Sequence, residues 1–370
     1  MTKKFIMYIP GSHLSDFHKR SPWIMLPVSF NKLGYSVVLI CGKYTLSDVF
    51  GIEVYETYPR NKKLLRSLTE PFFAFRKIFE TDADIVMVSP VGLYLFSILP
   101  LIAIYKIRNE ILCMKKSKFI LKMDWSLDFY GQGKISRILS TLFLVASSLI
   151  FDRVTSETYC GVARTKELPM INSSKVIRVP IGFPQNTDPY AQSDRNRKDI
   201  ILCVARISPM KGQEFLLKAF AMVAYKYPSW SVRLIGPVDD AVYKEKLDSI
   251  VACEKLEARV SFLGFIGEKE LYNEFSNASI FCLPSIYLES AGNVKYEATA
   301  VGLPVVTTDV PCRQDAEDMG WVVARAADAK DLAKKMEVLI SHPTMRKSIV
   351  ENSKNLLLSY EDVARMYIEL

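Results

Sequence analysis

Histidine is scarce in this chain: 370 residues hold only three, His13, His18 and His342. Its seven cysteines are scattered, odd in number and never spaced as C-x-x-C. A structural zinc site or a disulfide framework is therefore not expected, and a reducing compartment fits. Glycine and proline, at 16 and 18 residues, are too few and too dispersed for a collagenous or low-complexity chain. The five apolar residues 5–9 stop at Pro10-Gly11, which is short for the apolar region of a signal peptide. An uninterrupted membrane-length run is also missing. Between Asp84 and Lys106 lie 21 uncharged residues, but Ser89-Pro90-Val91-Gly92 and Pro100 break them, so a buried strand and a buried helix are expected. Residues 138–151 form a run of 14, too short to cross a bilayer.

What is present points to a folded, two-domain protein. Apolar residues make up 49% and charged residues 24% of a chain too long for one core. The net charge of +8 is uneven: residues 1–190 carry 25 Lys/Arg against 15 Asp/Glu, whereas residues 191–370 carry 23 against 25. A basic first half suggests an anionic partner. Nucleic acid is disfavoured, because no recognition-helix or RNA-sheet signature appears.

Along the chain, short β-branched runs alternate with helical patterns. Residues 5–9, 35–40, 85–88 and 118–123 read as strands, with helices over 23–33 and through about 111. Residues 184–198 change abruptly to Pro, Asn, Asp, Gln and Ser, which marks a linker. The alternation then restarts with strands at 200–204, 231–235, 260–263, 279–283 and 303–307 and helices between them. The expected fold is α/β, with two doubly wound domains facing each other across a cleft. The expected boundaries are 1–184 and 199–355, a linker at 185–198, and a closing helix at 356–370.

Two segments carry chemistry. In residues 284–306, Glu289 follows a strand and Glu297 sits inside the next helix, with Gly292 and Asn293 opening that helix. Free N–H groups at such a start suit phosphate, and nearby carboxylates suit sugar hydroxyls. In Val204-Ala-Arg206-Ile-Ser-Pro-Met-Lys211-Gly212, a strand again runs into a helix start. Arg206 offers a planar fork and Lys211 a point charge, both suited to a diphosphate.

This combination resembles the retaining glycosyltransferases of family 4, the group 1 glycosyltransferases, which have the GT-B fold. The likeness rests on the Arg…Lys-Gly element, the E-x7-E pair Glu289…Glu297 and the trailing Gly302-x-Pro304-Val305-Val306. Ser359-Tyr360-Glu361…Tyr367 resembles the family's closing helix, which crosses back to the first domain. Pro10-Gly11-Ser12 lies where the family has its glycine loop. The resemblance implies a hexosyltransferase using a UDP- or GDP-sugar, with no metal and no further cofactor. It implies catalytic roles for Glu289, Arg206 and Lys211. Donor binding would fall to these three and to Gly11, Ser12, Gly236, Phe265, Gly292, Asn293, Val294 and Glu297. Lys122-Met123-Asp124 stands where many relatives carry a histidine, so His13 and Asp124 are the acceptor-side candidates.

Residues 61–79 mix Lys62, Lys63, Arg66, Arg76 and Lys77 with several phenylalanines, which suggests contact with anionic lipid headgroups. The expected setting is cytoplasmic, peripheral on the inner membrane face, with a glycan or lipid-linked acceptor. Asp82-Ala-Asp84 imitates a metal-binding D-x-D but precedes a strand, so it is expected at the wrong sheet end for a ligand. A non-catalytic sugar-nucleotide binder and a sugar-nucleotide epimerase are the alternatives on the same fold.

Overall fold

The computed structural model describes residues 2–15, 18–19, 21–57, 63–89, 94–123, 134–183, 197–287, 292–310 and 313–370, without the side chains of 63–68, 94–96, 134–137 and 140. The chain divides into two compact units, Met1–Pro184 with Leu358–Leu370, and Gln185–Leu357. Most of the expected linker, residues 185–196, lies outside the described residues.

Unit 1 is built on β1 (Lys4–Leu14), α1 (Pro22–Lys32), β2 (Ser36–Tyr44), β3 (Glu53–Glu56), α2 (Lys63–Thr81), β4 (Ile85–Val88), α3 (Tyr94–Ile111), β5 (Lys118–Met123), α4 (Lys134–Ile150), β6 (Arg153–Ser156), α5 (Tyr159–Lys166) and β7 (Val176–Arg178). The strands form one sheet in the order β3-β2-β1-β4-β5-β6-β7, and every pair is parallel. A parallel sheet is covered on both faces, so its strands must be apolar on both sides. Alternate residues divide accordingly: Ile6, Tyr8, Val86 and Val88 face α2, α3 and α4, while Phe5, Met7, Ile85 and Met87 face α1. The uncharged run 85–105 resolves into a buried strand, β4, and the start of α3, which is buried on one side only and exposes Ile104 on the other; no described helix is long and apolar enough to cross a membrane.

Unit 2 contains β8 (Ile200–Val204), α6 (Gln213–Ala224), β9 (Ser231–Ile235), α7 (Ala241–Cys253), β10 (Val260–Gly264), α8 (Glu268–Asn277), β11 (Ile280–Leu283), α9 (Asn293–Ala300), β12 (Val305–Thr308), α10 (Arg313–Asp318), β13 (Val322–Ala324), α11 (Ala329–Ser341) and α12 (Pro343–Asn355). Its sheet runs β10-β9-β8-β11-β12-β13, again all parallel. The last helix, α13 (Tyr360–Glu369), belongs to unit 1. It starts with a capping box between Ser359 and Asp362, and Tyr360, Val363, Ala364 and Tyr367 join the core under α1. Two doubly wound parallel sheets with this closing helix are the GT-B fold.

One sequence expectation changes in detail. The first strand does not stop at Pro10-Gly11 but continues to Leu14, with its pairing to β2 interrupted between Ile9 and His13. Proline has no N–H to give the ladder, so the strand bulges there and resumes at His13 beside Lys43.

Candidate functional site

In an open parallel sheet, ligands bind beyond the carboxyl ends of the strands where the strand order reverses. In unit 2 that point lies between β8 and β11. Arg206 and Lys211 follow β8, and residues 284–287 follow β11, so these two stretches meet at the switch point. They are joined covalently only through distant chain, yet the backbone locks them together. The Ile286 N–H donates to the Met210 carbonyl at 3.0 Å. Gly212 has a left-handed φ of 65°, and a Cβ there would run into the Pro284 carbonyl oxygen. Only glycine permits both the turn and that approach.

Around this junction, side chains hold the β8–α6 loop open in one shape. The fully buried Gln213 donates through Nε2 to the Arg206 carbonyl at 2.8 Å. The Arg206 guanidinium is half-exposed and pairs with Asp239 at 2.7 Å. Asp239 sits on the loop after β9, whose own N–H, with that of Asp240, donates to the Ile207 carbonyl. Gly236, also beyond β9, lies where a Cβ would meet the Ala205 carbonyl oxygen, and its N–H donates to Gly264 at 2.8 Å. The ends of β8, β9 and β10 are therefore stitched side by side. Phe265 follows β10 and is 69% exposed, an aromatic face free of core duties.

Behind the loop, Glu214 is buried on the first turn of α6. Burial pushes its carboxyl up, but hydrogen bonds from Lys246 at 2.7 Å and Lys218 at 3.2 Å outweigh this and hold it below the usual carboxylate range. The helix α9 begins at Gly292, with Asn293 exposed and Val294 and Glu297 half-buried. Lys295 is turned inward, its ammonium 5.0 Å from the Trp321 ring, while Trp321 donates to Thr299 at 2.9 Å. Glu289 lies outside the described residues.

In unit 1 the order reverses between β1 and β4. Here Gly11 donates its N–H to Glu70 Oε1 at 2.8 Å, and Thr57 Oγ1 donates to the same oxygen at 2.8 Å. Glu70, fully buried on α2, anchors the glycine turn, a role that its sequence neighbours do not signal. The Ser12 hydroxyl donates to the Ile9 carbonyl at 2.7 Å, and exposed His13 faces Thr45 at 3.0 Å. Lys122 is buried at the end of β5 and pairs with buried Glu157 at 3.0 Å. Its neighbour Asp124 lies outside the described residues.

Of the basic residues expected at a membrane, Lys62 lies outside the described residues, as do the side chains of Lys63 and Arg66. Arg76 pairs with Glu80 at 2.9 Å and Lys77 with Glu53 at 2.6 Å. Asp84 accepts from the Lys4 N–H at 2.7 Å and pairs with Lys115 at 2.8 Å, so it serves the amino end of the sheet. Gln213, Asp239 and Glu157 were not singled out by sequence, because each acquires its meaning from a partner that only the fold brings to it.

Residues 185–356 match the model of the family described as glycosyl transferases group 1. The chain is 25% identical over 307 residues to an uncharacterized glycosyltransferase of Haemophilus influenzae, covering 80% of each protein. It is 36% identical over 117 residues to a D-inositol 3-phosphate glycosyltransferase of Streptomyces griseus, covering 30% of this chain and 25% of that one. Its fold is similar to that of a glycosyltransferase from Rickettsia africae, with TM-score 0.76 at 16% identity over 100% of this chain and 98% of that one. It is also similar to Anabaena HepE solved with UDP-glucose, with TM-score 0.70 at 14% identity over 99% and 98%.

Proposed function

We propose that the chain is a hexosyltransferase of the retaining, family 4 kind, a reading supported by the match of residues 185–356 to the group 1 glycosyltransferase model. The donor is a UDP- or GDP-linked hexose, and the acceptor is a hydroxyl of a glycan or lipid-linked sugar at the cytoplasmic membrane face. One observation carries the reading. At the switch point of the second sheet, the Arg206–Lys211 loop is hydrogen-bonded to the loop that leads towards α9. That arrangement suits a diphosphate, and the UDP-glucose held by the Anabaena neighbour agrees with it.

The roles follow from where charge develops. As the bond between the sugar's anomeric carbon and the diphosphate breaks, negative charge grows on the departing phosphate and positive character on the ring. Arg206, Lys211 and the N–H groups opening α9 stabilise the phosphate. Glu297 holds the ribose, Glu289 faces the transferred sugar, and Phe265 with Gly236 borders the base. The acceptor oxygen bonds to the anomeric carbon from the face the diphosphate leaves, and its proton passes to the departing phosphate oxygen. No metal or cofactor enters this scheme, since fixed cations and amides serve the diphosphate. In unit 1, Gly11 and Ser12 are donor-phosphate candidates, and His13 and Asp124 are acceptor candidates.

The test incubates the protein with UDP- and GDP-hexoses and candidate acceptors, with and without a chelator, and reads the product's anomeric configuration by NMR. A retained anomer formed in the presence of chelator is expected. Nucleotide binding with no transfer or hydrolysis identifies a binder, and a free epimer formed without acceptor identifies an epimerase.

A further inference from the structure

The outer face of unit 1 is apolar where a water-facing helix layer is usually polar. Helices α2, α3 and α4 lie side by side over one face of the first sheet, with α3 in the middle. Their inward residues, such as Phe75, Ile102 and Phe143, fill the core. Their outward residues are large and aliphatic as well. Ile104, Ile107 and Ile111 form a stripe on α3, and Ile138, Leu142 and Leu149 form one on α4, each more than half exposed. The spacings, three and four residues on α3 and four and seven on α4, put each set on a single face. On α2, Phe72 and Phe73 are also exposed. Along α3, a shallow apolar depression is lined by Ile104, Ile107, Arg108, Ile111 and Leu112.

The charge around these stripes selects the occupant. Residues 104–118 and 134–153 carry eight Lys/Arg against two Asp/Glu. Lys106 pairs with Asp152, Lys115 with Asp84 and Lys116 with Glu110, and eight cations against these three carboxylates leave the excess positive. A second copy docked by the same face would bring the same cations against these. Protein partners are gripped by Trp, Tyr and Arg anchors, and the stripes offer isoleucine and leucine. Aliphatic stripes on segments with an excess of positive charge are the composition that enters an anionic lipid interface.

We infer that the outer face of α3 and α4, extended by Phe72 and Phe73 of α2, docks on an anionic bilayer surface. The docking surface is therefore wider than the basic segment 61–79, where Arg76 and Lys77 are already engaged with Glu80 and Glu53. This deepens the membrane-face part of the proposed function and rests on it only for the acceptor's location.

The experiment is co-sedimentation of the full chain with phosphatidylcholine vesicles, with and without phosphatidylglycerol. It compares wild type with the triple variant Ile107→Ser, Ile111→Ser and Leu142→Ser. Thermal melting, UDP and GDP affinity and sedimentation velocity are recorded on both. Wild type is expected on the phosphatidylglycerol vesicles, with binding that falls as salt rises. The triple variant is expected to bind on the order of tenfold more weakly, with unchanged melting and nucleotide affinity. Absence of wild type from anionic vesicles, or equal binding by the variant, overturns the inference. A wild-type dimer that the variant dissolves, without vesicle binding, assigns the face to a second copy and overturns it too. Loss of nucleotide binding in both proteins would instead sink the transfer reading and leave this surface standing.

Discussion

At the switch point of unit 2, backbone meets backbone: Gly212 lies against Pro284, Gly236 against Ala205, and Ile286 is bonded to Met210. At the strand ends of unit 1, side chains do the tying: Glu70 holds Gly11 and Thr57, and Lys122 holds Glu157. The difference matters for function. The unit 2 loop, held by these backbone contacts and by Gln213, carries two cations near its surface: half-exposed Arg206, which pairs with Asp239, and half-buried Lys211. A turn fixed by buried carboxylates has already committed its polar groups. We therefore propose that the cations of unit 2 make the main donor-phosphate contacts, with Gly11 and Ser12 of unit 1 in a lesser part.

The largest expected effect would strike unit 1. Glu157→Ala removes the buried carboxylate that pairs with the Lys122 ammonium, and breaking a buried pair costs up to about 3–5 kcal/mol. Urea unfolding should show this loss with nucleotide affinity unchanged; lost affinity in a folded variant would erase the contrast between the units. Gly212→Ala comes next. A left-handed alanine costs about 1–2 kcal/mol, and the approach to Pro284 adds strain. Destabilisation above about 2 kcal/mol together with weakened nucleotide binding is expected, whereas wild-type calorimetry would mean the junction is not the site.

Smaller effects separate binding from turnover within unit 2. Glu297→Ala should raise KM with kcat held, because ribose contacts are alike in ground and transition states. Lys211→Ala should mainly lower kcat, because the phosphate gains charge only in reaction. Each change is expected to cost about 1.5–3 kcal/mol, and steady-state kinetics that move neither parameter would refute both roles.

The smallest effect concerns pH. Glu214 is held below the usual carboxylate range by Lys246 and Lys218, against the opposing pull of burial. Its contribution is present above the unfolded pKa and is lost as pH falls through the folded value. Stability should therefore decline below about pH 4, and Glu214→Gln should flatten that decline by about 1 kcal/mol. Identical acid titrations of the two proteins would show that the lysines do not act on Glu214.

Much of the frame was legible because it depends on local pattern. The strands at Ile200–Val204, Ser231–Ile235 and Lys118–Met123 and the helix Asn293–Ala300 agree with their sequence expectations. Each is bounded by a clear change of composition. Strands β3, β6 and β7 were not recognised: Glu53–Glu56, Arg153–Ser156 and Val176–Arg178 are short and carry charge or hydroxyls. Their strand state comes from pairing with neighbours rather than from propensity. In the candidate site, Arg206 and Lys211 were visible as cations beside a strand end. Asp239, Gln213 and Glu70 were not, because an Asp, Gln or Glu carries no mark of a partner 33, 7 or 59 residues away.

The central claim is that a nucleoside diphosphate binds at the β8–β11 switch point through the Arg206–Lys211 loop. Isothermal titration of UDP and GDP into wild type and Arg206→Ala tests it most directly. One of the two nucleotides should bind wild type, and Arg206→Ala should bind it at least about tenfold more weakly, as loss of a charged hydrogen bond to phosphate requires. Equal affinity in the two proteins, or no binding of either nucleotide to wild type, would contradict the account.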